Sequence, residues 1–172
     1  MGIEFDFSEF KAFNARLRQA ASGDFKRELL LFQEALGYDF LRIVQDEIIR
    51  LNVMDTRLLL ASFQKGEGDN LWELNEGDLT LEVGTNVEYA SYVNDGHWTN
   101  PKGVESRFVP GRWSGGRFIY EPGAKSGMVL KQKWVEGKHY WENALRIIER
   151  IFPDVLEKKL QEWIDRYFSD FK

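Results

Sequence analysis

The stretch SYVNDGHWTN, residues 91–100, contains side chains that often perform acid–base or metal chemistry. Asp95 and His97 stand two residues apart in it, and His139 is the only other histidine of the chain. A zinc site needs three or four ligands, no motif such as His-Glu-x-x-His accompanies the pair, and the chain has no cysteine. The sequence therefore predicts no metal, no cofactor and no catalytic residue. It favours a strand end that turns at residues 94–96 into a docking loop.

Other catalytic signatures are also missing from the sequence. There is no Gly-x-Ser-x-Gly nucleophile motif, and the glycine-rich stretch GEGDN lacks the Lys and Ser/Thr of a phosphate-binding loop. Most of the 28 acidic residues fall on helix faces opposite apolar stripes, and neither Glu47 nor Glu142 has a partner that the sequence identifies. The sequence predicts a protein that is not an enzyme.

Charge and aromatic residues concentrate in one part of the chain. The net charge of −5 divides into +5 for residues 100–140, with eight basic and three acidic residues, and −10 for the remainder. A basic segment on an acidic body indicates an acidic partner, which could be nucleic acid, a membrane surface or another copy of the chain. Aromatic side chains are interleaved with these charges, namely Trp98, Phe108, Trp113, Phe118, Tyr120 and Trp134.

These residues allow three interpretations. Aromatic and basic side chains bind single-stranded nucleic acid by stacking and charge, tryptophans stack on sugars in glycan-binding or cell-wall-lytic proteins, and Trp, Tyr and Arg concentrate at protein interfaces. The acidic body argues against nucleic acid, so the interface is favoured. We predict aromatic anchors oriented by two arginines, and the predicted interface residues are Trp98, Arg112, Trp113, Arg117, Phe118, Tyr120 and Trp134.

Helices are predicted at both ends of the chain. A first helix runs from a Ser8 cap to Gly23, and apolar residues at intervals of three or four predict a long second helix over residues 24–51. At the C-terminal end, the stretch HYWENALRIIERIF predicts a helix that Pro153 ends, and Asp154 caps another. The segments before and after Pro153 therefore predict a pair of C-terminal helices.

Strands are predicted between these helices. TRLLLASFQ, LWEL and LTLEVGT predict an antiparallel meander, and VEYASYV is either a short helix or a continued sheet edge. Residues 94–137, which we call the arm, hold eight of the 15 glycines and three of the four prolines. RFVPGRW and GRFIYEPG predict a hairpin in the arm. The fold class is α+β, a single domain over residues 1–172 with the arm as a long β-rich insertion.

The order of motifs resembles a known family, the tail-completion or head–tail joining proteins of tailed bacteriophages, which include lambda-type minor tail protein Z. A Gly-Thr-Asn-x-x-Tyr-Ala-x-Tyr-Val-x-x-Gly segment is matched from Gly84 to Gly96, and a Gly-x-x-aromatic…Ala-Leu helix start is matched from Gly137 to Leu145. Arg57 stands where the family usually has glycine. The long arm resembles the branch found in contractile-tail prophages and phage-tail-like bacteriocins.

The resemblance implies a structural protein assembled in the bacterial cytoplasm and then carried in a virion or phage-like particle. It would form a ring or collar, expected to be hexameric, at the head-proximal end of the tail. Its partners would be other copies of itself and the tail terminator, tube, sheath or neck proteins. Neither a membrane nor specific nucleic-acid binding is expected, although DNA would pass through the ring.

Overall fold

The computed structural model describes residues 15, 18, 25–53 and 57–168. The helix predicted from Ser8 to Gly23 lies outside the described residues except at positions 15 and 18. In chain order the elements are α1 (Phe25–Arg50), α2 (Leu58–Ala61), β1 (Asn70–Asn75), β2 (Thr80–Thr85), α3 (Ala90–Asp95), β3 (Gly96–Trp98), β4 (Ser106–Ser114), β5 (Arg117–Tyr120), β6 (Gly127–Lys131), β7 (Trp134–Glu136) and α4 (Tyr140–Phe168). The predicted α+β class is confirmed.

The chain divides into two compact units. The first comprises Met1–Val87 and Tyr140–Lys172, and the second is Glu88–His139. In the first unit, β1 and β2 form an antiparallel hairpin in which Asn70 pairs with Thr85 and Asn75 with Thr80. The two predicted strands are confirmed there.

The second unit contains two small antiparallel sheets. One pairs β3 with β7 in the register Gly96 to Glu136 and Trp98 to Trp134. The other has the strand order β5-β4-β6, with β4 in the centre. The predicted hairpin is confirmed as β4 and β5, which turn at residues 115–116. VEYASYV proves to be the short helix α3 rather than a sheet edge.

Helices α1 and α4 lie antiparallel along the first unit. Ring contacts toward the N-terminus of α1 involve residues toward the C-terminus of α4. Phe40 contacts Trp141 with ring centroids 4.9 Å apart, and Phe25 contacts Trp163 with ring centroids 4.7 Å apart. Glu28 accepts hydrogen bonds from α4, and its carboxylate lies 3.1 Å from Lys159 Nζ and 2.6 Å from Arg166 Nη1. These two cations lower the pKa of Glu28. The long predicted helix is confirmed, and α4 covers its apolar stripe.

The core of the first unit lies at one end of this helix pair. The most buried apolar side chains come from the second half of α1, the start of α4 and the segments between them, namely Phe40, Leu41, Val44, Ile48, Leu59, Phe63, Val87, Tyr140 and Ala144. Trp72 and Leu81 of the hairpin reach α1 at Gly37, where an added Cβ would lie 2.9 Å and 2.5 Å from them. The hairpin packs this closely because α1 has no side chain at that position.

The prediction of two C-terminal helices is wrong, because α4 is continuous and contains Pro153 in its interior. An interior proline removes one backbone hydrogen bond and costs about 3 kcal/mol. Packing on both sides of the proline offsets that cost, since Trp141 contacts Phe40 before it and Trp163 contacts Phe25 after it. Tertiary contacts therefore override the local signal.

The prediction that TRLLLASFQ is a strand is also wrong. Residues 58–61 form α2, and Leu59 and Phe63, which follows the helix in a turn, are both buried at a spacing of four, which is a helical spacing. Arg57 precedes the helix with φ of 64°, the left-handed conformation that suits glycine. The turn therefore keeps the backbone expected of a glycine even though this chain has arginine there.

Polar side chains join the end of β2 to the residue after α2. The Thr85 hydroxyl donates to Ser62 Oγ at 2.7 Å, and Ser62 Oγ donates to the Leu59 carbonyl at 2.8 Å. Asn70 Nδ2 donates to the Ser62 carbonyl at 2.9 Å. These bonds give the Gly-Thr-Asn segment, in which Thr85 lies, a structural role in joining β2 to the end of α2.

Glu47 is a buried carboxylate, and its partner lies one helical turn ahead. Arg50 donates Nη2 to Oε2 at 2.5 Å and Nε to Oε1 at 2.9 Å. This bidentate pair lowers the pKa of Glu47 below its usual 4.5, in spite of burial, and Asn143 of α4 contributes a further hydrogen bond. Glu47 is therefore a structural group that ties α1 to α4.

Arg57→Gly should stabilise the first unit. A non-glycine residue in the left-handed region costs roughly 1–2 kcal/mol, and glycine removes that cost while losing some conformational entropy. We expect a gain of about 1 kcal/mol in the free energy of unfolding, measured by urea denaturation. Arg57→Ala keeps the Cβ and is the matched control. Equal stability of the Gly and Ala variants would contradict the strain.

Acidification should destabilise the protein through Glu47. A carboxyl whose pKa is lower in the folded state stabilises the fold above its unfolded pKa of about 4.5 and loses that contribution as pH falls through the folded value. Glu47→Gln should therefore cost about 1 kcal/mol at pH 7. The gap from the wild type should narrow at pH 3, as measured by chemical denaturation at both pH values. A constant gap would show that Glu47 acts through packing alone.

Candidate functional site

The second unit has almost no apolar core of its own. The structure describes every residue of Glu88–His139, and Ala90 is the only hydrophobic side chain buried among them. The other buried residues are Asn94, Asn100 and Gly111. Because small units bury too little apolar surface to be stable alone, this one is suited to gain stability from contact with a partner.

The predicted interface side chains are mostly exposed in this unit. The exposed fraction is 57% for Trp98, 63% for Trp113, 62% for Tyr120 and 37% for Trp134. Arg112 and Arg117 are exposed, and Phe118 is half-buried. Large apolar side chains that remain in water mark an interaction surface when several occur together.

The aromatic residues form two groups rather than one. Trp98 and Trp134 face each other across β3 and β7, with ring centroids 5.4 Å apart. Trp113 and Phe118 face each other across β4 and β5 at 5.5 Å. The three tryptophans considered for sugar stacking therefore belong to two different sheets.

The two predicted arginines do not share a face with the Trp113–Phe118 pair. Arg112 pairs with Ile119, and Arg117 with Ser114, so strand alternation places both arginines on the opposite face. Arg112 Nε donates to Glu121 Oε1 at 2.6 Å. Any contact that these arginines orient therefore involves the face of the β4–β5 hairpin that carries Ile119.

Sequence reasoning did not select a further apolar pair of this surface. Phe108 of β4 lies directly opposite Val129 of β6, and their exposed fractions are 55% and 64%. The alternating patterns RFVPGRW and GMVLK contained the signal, because apolar residues of neighbouring strands share a face. The three-stranded sheet thus exposes apolar groups on both faces.

A groove of about 760 Å³ lies beside the smaller sheet. Trp98, Trp134 and Tyr92 contribute aromatic walls, and Lys102 and Arg107 contribute the charge. No Asp or Glu is among its lining residues. The groove therefore suits an acidic or aromatic segment of a protein partner.

Asp95 and His97 have different hydrogen-bond partners in the structure. His97 Nδ1 lies 3.2 Å from the Tyr92 carbonyl, and the Asp95 carboxylate accepts a hydrogen bond from Asn94 Nδ2 at 2.7 Å. The described part of the chain contains no group of three or more His, Asp or Glu placed to hold a metal ion. The stretch is instead the end of α3 and the start of β3.

The arm begins and ends at a close crossing of two backbones. Gly96 has φ of 87°, and an added Cβ there would lie 2.6 Å from the Val135 carbonyl oxygen. On Gly137 an added Cβ would collide with the Asn94 carbonyl oxygen. The main chain of residues 138 and 139 also donates to the carbonyls of Val93 and Asn94, at 2.9 Å each. These two glycines are the motif positions at which the arm departs and returns.

Within the described ranges, no helix is long and apolar enough to cross a membrane.

Comparison with known proteins identifies the class. Residues 39–96 match the family model described as "Bacteriophage HK97-gp10, putative tail-component". This segment contains the second half of α1, α2, the hairpin and α3. The class of protein is therefore a structural component of a phage tail.

Two curated relatives match nearly the whole chain. The phage-like element PBSX protein XkdI of Bacillus subtilis strain 168 is 50% identical over 156 residues, which cover 91% of this chain and 96% of that protein. The uncharacterized protein YqbI of the same organism is 52% identical over 155 residues, with 88% and 93% covered. The chain belongs to the family of these phage-element proteins. No solved structure matches it.

Side chains at the crossing should loosen the arm. Gly96→Ala and Gly137→Ala each place a Cβ against a carbonyl oxygen, so we expect trypsin to cleave the arm at least about tenfold faster, which corresponds to a cost of roughly 1.4 kcal/mol or more. Gly103→Ala is the matched control, because Gly103 also has a positive φ but nothing within 4 Å of the added Cβ. Equal cleavage of all three variants would contradict a special role of the crossing.

Proposed function

We propose that the protein forms a ring at the head-proximal end of a phage-like tail and joins the tail to its terminator or neck. The observation that carries the proposal is the second unit, which exposes Trp98, Trp113 and Tyr120 and buries no large apolar side chain. A segment of this composition gains stability when a partner covers its exposed apolar side chains. Membership of a family of phage-element proteins supports a partner within the tail.

The ring is inferred from the uneven charge of the chain. A segment of +5 and a remainder of −10 occur in the same molecule, so one copy's arm has an acidic surface to bind on the next copy. Such a contact joins two different surfaces, and it closes into a ring when it is repeated with rotation. Six copies, a contractile tail and kinship with lambda-type minor tail protein Z remain predictions from the family resemblance.

The proposed role requires no chemistry. Assembly depends on the aromatic anchors and on charges at their rim, which accelerate association more than they tighten it. His97→Ala should accordingly leave incorporation into particles unchanged. The same particles would contain the terminator, tube, sheath or neck proteins as the neighbours of the ring.

Removal of the arm should separate folding from assembly. Thr99 N–H donates to the Lys133 carbonyl at 3.0 Å just beyond the paired strands β3 and β7, so residues 100–132 can be replaced by Asn-Gly, which closes these strands as a two-residue hairpin. We expect this variant to keep the melting temperature of the first unit and to be absent from particles, as measured by calorimetry and by electron microscopy of particles produced with it. If the variant unfolds, the arm is part of the core, and if it enters particles, the docking role is wrong.

A point substitution tests the anchors more finely. Trp113→Ala should reduce incorporation by about tenfold or more, since truncating an interface anchor costs about 2 kcal/mol. Leu31→Ala is the control, because Leu31 of α1 is also half exposed, at 52%, but lies outside the arm. Quantitative mass spectrometry of purified particles measures both, and equal incorporation of the two variants would contradict the assigned anchor.

A further inference from the structure

The central strand of the three-stranded sheet is paired along only part of one edge. On one side β6 pairs with residues Ser106–Pro110, while on the other side β5 pairs with Gly111–Ser114 only. The chain then leaves that side after Tyr120 and continues as β6 on the opposite side. No described strand therefore continues the line of β5 along Ser106–Pro110.

The direction of individual backbone groups defines this free edge. The Glu105 carbonyl and the Gly111 N–H bond toward β6, at 2.7 Å and 2.9 Å, whereas the Pro110 carbonyl accepts from Glu121 N–H on the β5 side at 3.2 Å. Ser106 and Phe108 point the same way as Pro110, because alternate residues of a strand face the same edge. Their N–H and C=O groups face an edge at which no described strand pairs with them.

A cleft accompanies the free edge. It measures about 410 Å³ and is lined by Arg107, Phe108, Val109, Pro110, Phe118 and Tyr120. One face of an added strand would lie beside the exposed Phe108 and extend the apolar surface that Phe108 forms with Val129, and its other face would lie beside Arg107. Arg107 forms no ion pair with any described residue. The cleft thus selects an extended segment of about five residues that alternates apolar and acidic side chains.

The chain itself contains one such segment that is not already a strand of the first unit. Residues 3–7 read Ile-Glu-Phe-Asp-Phe, in which Ile3, Phe5 and Phe7 alternate with Glu4 and Asp6. Residues 72–75 and 79–83 also alternate, but they are largely used in β1 and β2. Residues 3–7 lie outside the described part of the structure and enter here by their sequence.

We propose that residues 3–7 of a second copy dock on the free edge of β4 as an added strand. With Phe5 opposite Phe108, Ile3 and Phe7 fall on the same apolar face, and one carboxylate falls opposite Arg107 in either strand direction. The contact is heterologous, since the donor segment and the acceptor edge are different surfaces of the chain. This inference rests on the proposed self-assembly through the arm and specifies one contact that makes it.

The test uses the full-length chain with Phe5→Asp, which keeps the acceptor edge and disables its own donor. A fluorescein-labelled peptide with the sequence of residues 2–8 is titrated into it and followed by anisotropy. We expect saturable binding that weakens by about tenfold or more when Phe108→Pro is added, because proline removes the N–H on the free edge and not one used by β6. Phe108→Leu keeps that N–H and should change binding less than about threefold.

A peptide with Glu4 and Asp6 replaced by Lys is the charge control. It should bind about tenfold more weakly at low salt. Absence of binding by the Phe5→Asp chain, or equal binding with and without Phe108→Pro, would overturn the proposal. A melting curve of each variant shows that the protein is folded, and Phe5→Ser replaces Phe5→Asp if the latter is not.

Mixing two variants shows whether the donor comes from a second copy. The Phe5→Asp variant retains only the acceptor edge, and the Phe108→Pro variant retains only the donor segment. A mixture of the two variants should therefore form a dimer by mass photometry, while each variant alone stays monomeric. If the wild-type protein stays monomeric and does not bind the peptide, its own segment occupies the edge. Docking within one chain would overturn the second-copy assignment. If the peptide fails to bind but the arm is still required for incorporation into particles, the strand docking is wrong and the proposed function stands.

Discussion

The second unit depends on the crossing at Gly96 and Gly137, where two backbones pass closer than any side chain allows. A Cβ added to Gly96 would lie 2.6 Å from the Val135 carbonyl oxygen, and one added to Gly137 would lie 2.7 Å from the Gly96 nitrogen. The crossing aligns β3 with β7, and the long connection between these strands holds β4, β5 and β6. A loop whose two ends are fixed side by side loses less entropy on ordering than a free segment of the same length.

This constraint explains how an ordered segment exists with so little buried apolar surface. Hydrogen bonds within the sheets and pairs such as Trp98 with Trp134 hold the strands in register. Glycine positions strengthen the packing further, since Phe118 lies over Gly111 and Phe108 over Gly127. The result is a surface with defined geometry that still exposes its large side chains, which is the combination that a docking element needs.

The first unit, in contrast to the second, buries large apolar side chains in a core. Its apolar residues converge on Val44 and Ile48, which are fully buried. Hydrogen bonds from cations of α4 and α1 lower the pKa values of Glu28 and Glu47, respectively. The first unit therefore holds most of the buried apolar surface, and the second exposes its large apolar side chains.

Periodicity and composition by themselves determined the long helix, the hairpin of β1 and β2, the hairpin in the arm and the exclusion of cysteine chemistry. These features depend on residues near one another in sequence, and local spacing records them. Motif glycines such as Gly96 and Gly137 also marked the limits of the arm, although only the structure supplied the reason, since close approach joins positions far apart in the chain.

Only the tertiary structure decided the rest. Pro153 sits inside a continuous helix because α1 packs against both sides of it. Residues 58–61 are helical, and Leu59 and the following Phe63 are both buried. Strand register placed Arg112 and Arg117 on the face opposite Trp113. It also left Ser106 and Phe108 on an edge at which no described strand pairs with them, because pairing is a long-range choice that no local pattern contains.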